Sequence, residues 1–175
     1  MTELDPRPSI VLGPQNVPPL SMANAYATFA SGGKYCKPIA IDQILDASGT
    51  SMAVPSADCT QAMDQGAADE TAKTLRATSE PGGTAKDAVF GRPIAGKTGT
   101  TDEAESTWFV GFTPQLSTAV WIGDATESGR SLVGRTIGGV TYDKIYGSDL
   151  AVPMWRDYMS QALANDPALP IPTHG

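Results

Sequence analysis

The sequence predicts a mixed α/β chain of the α+β type. Helix-period segments stand near residues 20 and 155, and three strand-like runs follow one another between residues 92 and 123. The repeated strand–helix–strand units of a parallel sheet are missing. The 175 residues suit one domain, long enough to bury a core.

Residues 1–19 are proline-rich, have few periodic apolar positions, and read as an extended lead-in. From Pro19, the run P-L-S-M-A-N-A-Y-A-T-F-A puts Leu20, Ala23, Tyr26, Ala27 and Ala30 on one helical face, with Met22 and Phe29 beside it. Ser21 is expected to cap its start, and Gly32-Gly33 to supply a left-handed stop. Residues 37–54 read as a hairpin around the turn Asp46-Ala47-Ser48-Gly49, and the stretch 50–66 as largely irregular. A second helix fits 67–78, bounded by Pro81-Gly82-Gly83, and residues 81–92 form a glycine-containing loop. Strands are expected over 92–100, 107–112 and 116–123, the last reached through a Thr113-Pro114-Gln115 turn. Residues 124–148 hold too many glycines for a long regular element. A closing helix fits 152–163, with Pro153 in its first turn and Met154, Tyr158, Met159 and Ala162 at helical spacing. Residues 166–175 read as a loose tail.

The net charge of -7, with the basic residues scattered, argues against a nucleic-acid partner. No stretch approaches the ~18 apolar residues of a membrane span. The start, MTELDPRPSIVLG, lacks a basic region followed by an apolar core, so it is not a signal peptide. Cys36 and Cys59 lack metal-ligand spacing and the single histidine, His174, lies in the tail, so no metal site is expected. The two cysteines are either small unpaired hydrophobes or, in an oxidising compartment, a disulfide. Its loop of about 20 residues would contribute roughly 3 kcal/mol in the chain-entropy picture.

Lys97 is claimed by two motifs. From Gly91 to Thr98, G-R-P-I-A-G-K-T fits a phosphate loop and hence a nucleotide hydrolase, with Asp124 as the best magnesium-holding acid. Such a loop must open a helix, whereas Gly99, Thr100 and Thr101 are poor helix formers. From Lys97, K-T-G-T fits a strand edge. Strand periodicity puts the Thr98 and Thr100 hydroxyls on one face, suited to a carboxylate, with the Lys97 charge close by. Gly99 lets a substrate backbone lie flat along the edge, and the Thr100 N–H points where an acyl oxyanion would form.

In their order and spacing, PLSMANAYATFASGG, the proline-started hairpin, AGKTGTT, WFVGFTP and AVWIGD resemble the transpeptidase domain of bifunctional class A penicillin-binding proteins, with an actinobacterial flavour. The closing PMWRDYM resembles that family's C-terminal helix, so residues 20–165 correspond to the C-terminal portion of the domain. The resemblance implies an antiparallel sheet flanked by helices on both faces, part of a serine β-lactamase/transpeptidase-like fold. It implies that a serine attacks the D-Ala-D-Ala end of a peptidoglycan stem peptide, releases D-Ala and passes the acyl group to an amine, and that β-lactams mimic the dipeptide. Catalytic roles then fall on Lys97, which tunes charge beside the serines, and on Thr100, whose N–H helps hold the oxyanion. Substrate binding falls on Lys97, Thr98, Gly99 and Thr100. No cofactor is implied, and the place of action is the extracytoplasmic face of the cell membrane.

The departures from the family matter as much. Its S-x-x-K and S-x-N motifs lie upstream of the helix at residue 20, and so do its glycosyltransferase domain and membrane anchor. S-G-G-K at 31–34 ends a helix, whereas the nucleophile should begin one, so Ser31 is a poor nucleophile. Ser106, next to Glu105, stands where the family often has an acid. The chain is therefore expected to supply a binding wall that is inactive alone and needs the upstream half of the domain as a partner. The rival readings are a non-catalytic remnant that binds peptidoglycan or a partner, and the nucleotide hydrolase. A β-lactamase or carboxypeptidase shares K-T-G but not the block order. Half a sheet leaves an open edge and an uncovered apolar face, so the isolated chain should be marginally stable. A broad, concentration-dependent melting transition is expected; a sharp cooperative melt of a monomer would contradict it.

Overall fold

A computed structural model describes residues 4–13, 15–127 and 129–172. A 3-10 turn at Pro8–Leu12, closed by Gly13 at φ 72°, interrupts the lead-in that was read as extended. Helix α1 (Pro19–Ala30) begins at its proline, with the Ser21 and Met22 N–H groups donating to Pro18 O. Ser21 therefore does not cap it: the Pro18-Pro19 pair already fixes the backbone for helix entry two residues earlier. Gly32 and Gly33 end it at φ 66° and 86°. Leu20 is 66% exposed rather than facing the core, while Tyr26 and Phe29 turn toward Phe112.

Two short ladders follow. β1 (Lys34–Tyr35) pairs antiparallel with β4 (Thr60–Gln61), and between them β2 (Ile44–Leu45) pairs with β3 (Ser51–Met52). The Asp46 carboxylate holds the β2–β3 turn by accepting from Ser48 N, Ser48 Oγ and Thr50 N, with Gly49 at φ 82°. The β2–β3 pair is the hairpin expected around Asp46–Gly49, with arms of only two residues each, whereas β4 lies within the stretch expected to be irregular; a two-residue strand carries no periodic signal. A Cys36–Cys59 disulfide continues the β1–β4 ladder, and a Lys37–Asp58 ion pair at 2.7 Å sits next to it.

Helix α2 (Gln65–Arg76) starts two residues before its expected position because the Asp64 carboxylate accepts from Ala67 N and caps it. It leads through a 3-10 turn to the main sheet. There β5 (Ala95–Thr100), β6 (Ser106–Phe112) and β7 (Ser117–Gly123) run antiparallel in the order β5-β6-β7. One sheet face carries Ala95, Phe112 and Ser117 and packs on α1 and α2, with Ser117 Oγ donating to Ala23 O at 2.7 Å. The other carries Ile94, Phe109, Val120 and Ile122 and packs on α3 (Ala151–Ala162). The glycine-rich 124–148 segment contains a ribbon of β8 (Arg135–Ile137) and β9 (Val140–Tyr142), turned by Gly138 and Gly139 at φ 59° and 82°.

α3 buries Ala151, Val152, Trp155 and Met159, whereas Met154 and Tyr158, expected on its inner stripe, are each 54% exposed. The reason lies across the interface. Gly96 and Gly111 face each other in register on β5 and β6. A Cβ at Gly111 would lie 3.0 Å from the Trp155 ring, and one at Gly96 would lie 2.7 Å from the Phe109 ring. The paired glycines make room for both rings, and the indole stacks edge-on to Phe109 at 5.1 Å. Its Nε1–H donates to Gly111 O at 3.3 Å and to Thr118 O at 3.1 Å. The segment after α3 is not loose up to residue 171: Arg92 donates to the carbonyls of Leu163 and Asp166, and Ile171 is buried against Ala72, Ala95 and Phe112. His174 lies outside the described residues.

Trp155→Ala empties that space and is expected to lose about 3–5 kcal/mol of stability. Trp155→Phe should lose less, because it keeps most of the contact and gives up the indole donor. Urea unfolding followed by circular dichroism measures both; an unchanged midpoint for the alanine variant would refute the account.

Candidate functional site

The outer edge of β5 is the chemically distinctive surface. The strand pairs with β6 as Lys97↔Val110, Thr98↔Phe109, Gly99↔Trp108 and Thr100↔Thr107. Ser79 Oγ donates to Ile94 O and Thr78 Oγ1 to Gly96 O, so the even-numbered residues direct their backbone groups away from β6. By the alternation of an antiparallel ladder, Thr98 and Thr100 also turn their N–H and C=O outward. The first half of the edge is thus covered by the turn after α2. Among the described residues no strand pairs with the second half.

Side chains flank this open stretch on two sides. Lys97 is exposed on the α1 face, and its Nζ donates to Thr98 O at 2.8 Å. Thr98 and Thr100 lie on the α3 face. Thr98 Oγ1 donates to Thr84 Oγ1 at 3.0 Å, and Thr100 Oγ1 lies 3.4 Å from Thr107 Oγ1. Gly99 has the nearest non-local atom, Trp108 Cβ, 3.5 Å from where a Cβ would stand, so the strand surface there is flat and unfilled. A groove of about 510 Å³ runs beside Lys97–Thr101, walled by Trp108 and Val110, by Met22 and Tyr26 of α1, and by the Ile10–Gly13 turn. The structure thus brings Lys97, Thr98, Gly99 and Thr100 together, but with the ammonium and the two hydroxyls on opposite sides of the strand. A ligand that meets all of them must lie along the edge.

Beyond Thr100 the chain turns sharply. Thr101 Oγ1 accepts from Glu105 N at 2.8 Å and from Ser106 N at 3.1 Å, with Ala104 at φ 50°. This turn leads β5 straight into β6, so Gly91–Thr98 opens no helix and forms no phosphate loop. Asp124 is likewise not a waiting metal ligand. It accepts from the hydroxyl and N–H of Thr126, from Glu127 N and from Arg130, and these bonds hold its carboxyl down at about 2 from an ordinary 3.8. Ser31 sits at the C-terminal end of α1, where its hydroxyl bonds the Thr28 and Lys34 carbonyls.

Thr84, Thr107 and Gly147 also belong to the surroundings of the two hydroxyls, and sequence reading missed all three. Thr84 and Gly147 lie in loops, and Thr107 looks like any strand threonine; only the register and the loop path bring them in.

The family model for the penicillin binding protein transpeptidase domain matches residues 10–137. The chain belongs to that transpeptidase-domain family. Penicillin-binding protein 1A of Aquifex aeolicus is 35% identical over 160 residues, 91% of this chain and 20% of that protein. Penicillin-binding protein 1A of Neisseria meningitidis is 37% identical over 168 residues, 93% of this chain and 20% of that protein. The solved structure of the PonA1 protein from Mycobacterium tuberculosis in complex with penicillin V superposes with a TM-score of 0.80 at 32% identity, over 97% of this chain and 45% of that one. The chain thus spans about a fifth of the length of these curated relatives. For this transpeptidase-domain chain, the expected antiparallel sheet between helices is the fold observed.

A depressed carboxyl stabilises the fold above its unfolded value and loses that contribution as pH falls through its folded value. For Asp124 that window lies between about 3.8 and about 2. The melting-temperature gap between the natural chain and Asp124→Asn should be full above the window and close within it. A gap independent of pH would contradict the assignment.

Proposed function

We propose that this chain supplies the substrate-binding edge of a D,D-transpeptidase acyl-transfer site. The observation that carries the reading is the open half of β5, with two outward N–H groups, two hydroxyls on one side and one ammonium on the other. An extended peptide adds along such an edge as a further strand. Its terminal carboxylate, or that of a β-lactam, accepts from Thr98 and Thr100. Lys97 supplies positive charge, and the flat surface at Gly99 admits the backbone. When a serine attacks the ligand carbonyl, the Thr100 N–H stabilises the oxyanion, a role worth about 3–4 kcal/mol in well-formed sites. The attacking serine and its base come from the upstream half of the domain, since Ser31 is tied to the end of α1. Penicillin V in the PonA1 complex supports β-lactams as ligands, and stem peptides of peptidoglycan follow as the natural substrates. The place of action is extracytoplasmic, on the cell wall; among the described residues no helix is long and apolar enough to cross a membrane.

Intact mass after incubation with excess benzylpenicillin tests the reading. The chain alone should gain nothing. Mixed with an upstream segment that carries S-x-x-K and S-x-N, it should promote one penicilloyl addition on that segment, at a rate lowered at least about tenfold by Lys97→Ala. An adduct on the chain alone would place the nucleophile within it. A folded mixture that never acylates would favour the non-catalytic reading.

A further inference from the structure

Thr100 is backed by groups outside the K-T-G-T run. Its Oγ1 accepts the backbone N–H of Gly147 at 3.3 Å and lies 3.4 Å from Thr107 Oγ1. Thr107 is fully buried, and its hydroxyl donates to Gly99 O at 3.1 Å. A threonine hydroxyl has one proton, so Thr107 meets Thr100 as an acceptor. The Thr100 oxygen thus receives a hydrogen bond from Gly147 and retains its own proton for donation. Without a ligand that proton points to Thr107. A carboxylate, being charged, is the stronger acceptor and draws it outward; the Thr107 hydroxyl, since either of the two can be the donor, then turns its own proton from Gly99 O to the Thr100 oxygen.

Gly147 is held for this task from two directions. Its carbonyl accepts Val152 N at 2.9 Å, in the first turn of α3, and the preceding Tyr146 N–H donates to the Asp149 carboxylate at 2.7 Å. A Cβ at position 147 would stand 2.5 Å from Trp108 O and 3.1 Å from Thr98 Cβ. Only glycine brings this N–H so close to the strand.

We propose that Thr107 and the Gly147 N–H are positioning groups for Thr100: together they fix its oxygen and deliver its proton to the carboxylate of the bound ligand. The inference rests on the carboxylate reading of Thr98 and Thr100 given above. Donation to an anion makes the Thr100 oxygen a better acceptor, so the Gly147 hydrogen bond tightens when the ligand binds. Hydrogen bonds that are long in a ligand-free site commonly shorten in this way.

The test is an NMR titration of the ¹⁵N-labelled chain, below its melting transition, with N-acetyl-D-Ala-D-Ala and with its C-terminal carboxamide. The acid should bind at least about fivefold tighter than the amide, and the Gly147 amide proton should move downfield with the acid only. Thr107→Val, close to isosteric, should weaken acid binding about fivefold, leave amide binding unchanged and abolish the Gly147 shift; Thr107→Ser should restore both. If Thr107→Val keeps the acid preference and the shift, the positioning role is overturned and the carboxylate reading stands. If the natural chain shows no acid preference, the carboxylate reading falls and this inference with it. Should Thr107→Val fail to fold, the natural chain still decides: a Gly147 resonance unmoved by bound acid overturns the proposal.

Discussion

The seating of two edge-on rings, Phe109 and Trp155, against two facing glycines is the contact on which the rest of the molecule depends. Gly96 and Gly111 remove side chains at one cross-strand pair, Phe109 and Trp155 fill the space, and Trp155 donates to carbonyls of two strands. That single residue joins two neighbouring strands, β6 and β7, to α3. Its consequences reach the edge. Once α3 is fixed, its first turn holds Gly147, and Gly147 reaches Thr100. A buried aromatic thus sets the geometry of a hydroxyl several residues away, through rigid elements only.

The edge of β5 is divided in a physically sensible way. An unpaired strand edge invites any extended chain, which is a hazard along its whole length. Here Thr78 and Ser79 close the half that leads into the strand, and the remaining half is left open beside Lys97–Thr100. Openness is confined to the few residues that can discriminate a ligand. Placing the ammonium and the hydroxyls on opposite sides of the strand adds selectivity, because a ligand that touches one set does not automatically touch the other.

Local signals were legible in the sequence. α1 and its Gly32-Gly33 stop, the Asp46–Gly49 turn and the three main strands follow from short-range chemistry, and the K-T-G-T run announced the edge that carries it. What could not be read depends on contacts between distant residues. The inner face of α3 is set by a slot that exists only after β5 and β6 pair, so Met154 and Tyr158 looked as eligible as Trp155. Ile171 is buried because Arg92 folds the chain end back, which no local pattern shows. Gly147 sat among glycines that looked like mere loop. Asp64 gives a weak local signal as a cap because Gly66, a poor helix former, stands between it and the alanine-rich run.

The ties between Cys36 and Cys59 and between Lys37 and Asp58 close the neck of residues 37–58, a stretch in which all but Ile44 and Ala57 are exposed. Whatever lies beyond the neck returns to the same place from which it left. Its length, charge and shape can drift without moving β1 or β4, because closing a longer loop adds only slowly to the entropy already fixed. The neck therefore divides the chain mechanically: a scaffold whose packing positions the open edge, and an exposed appendage whose changes stay behind the tie.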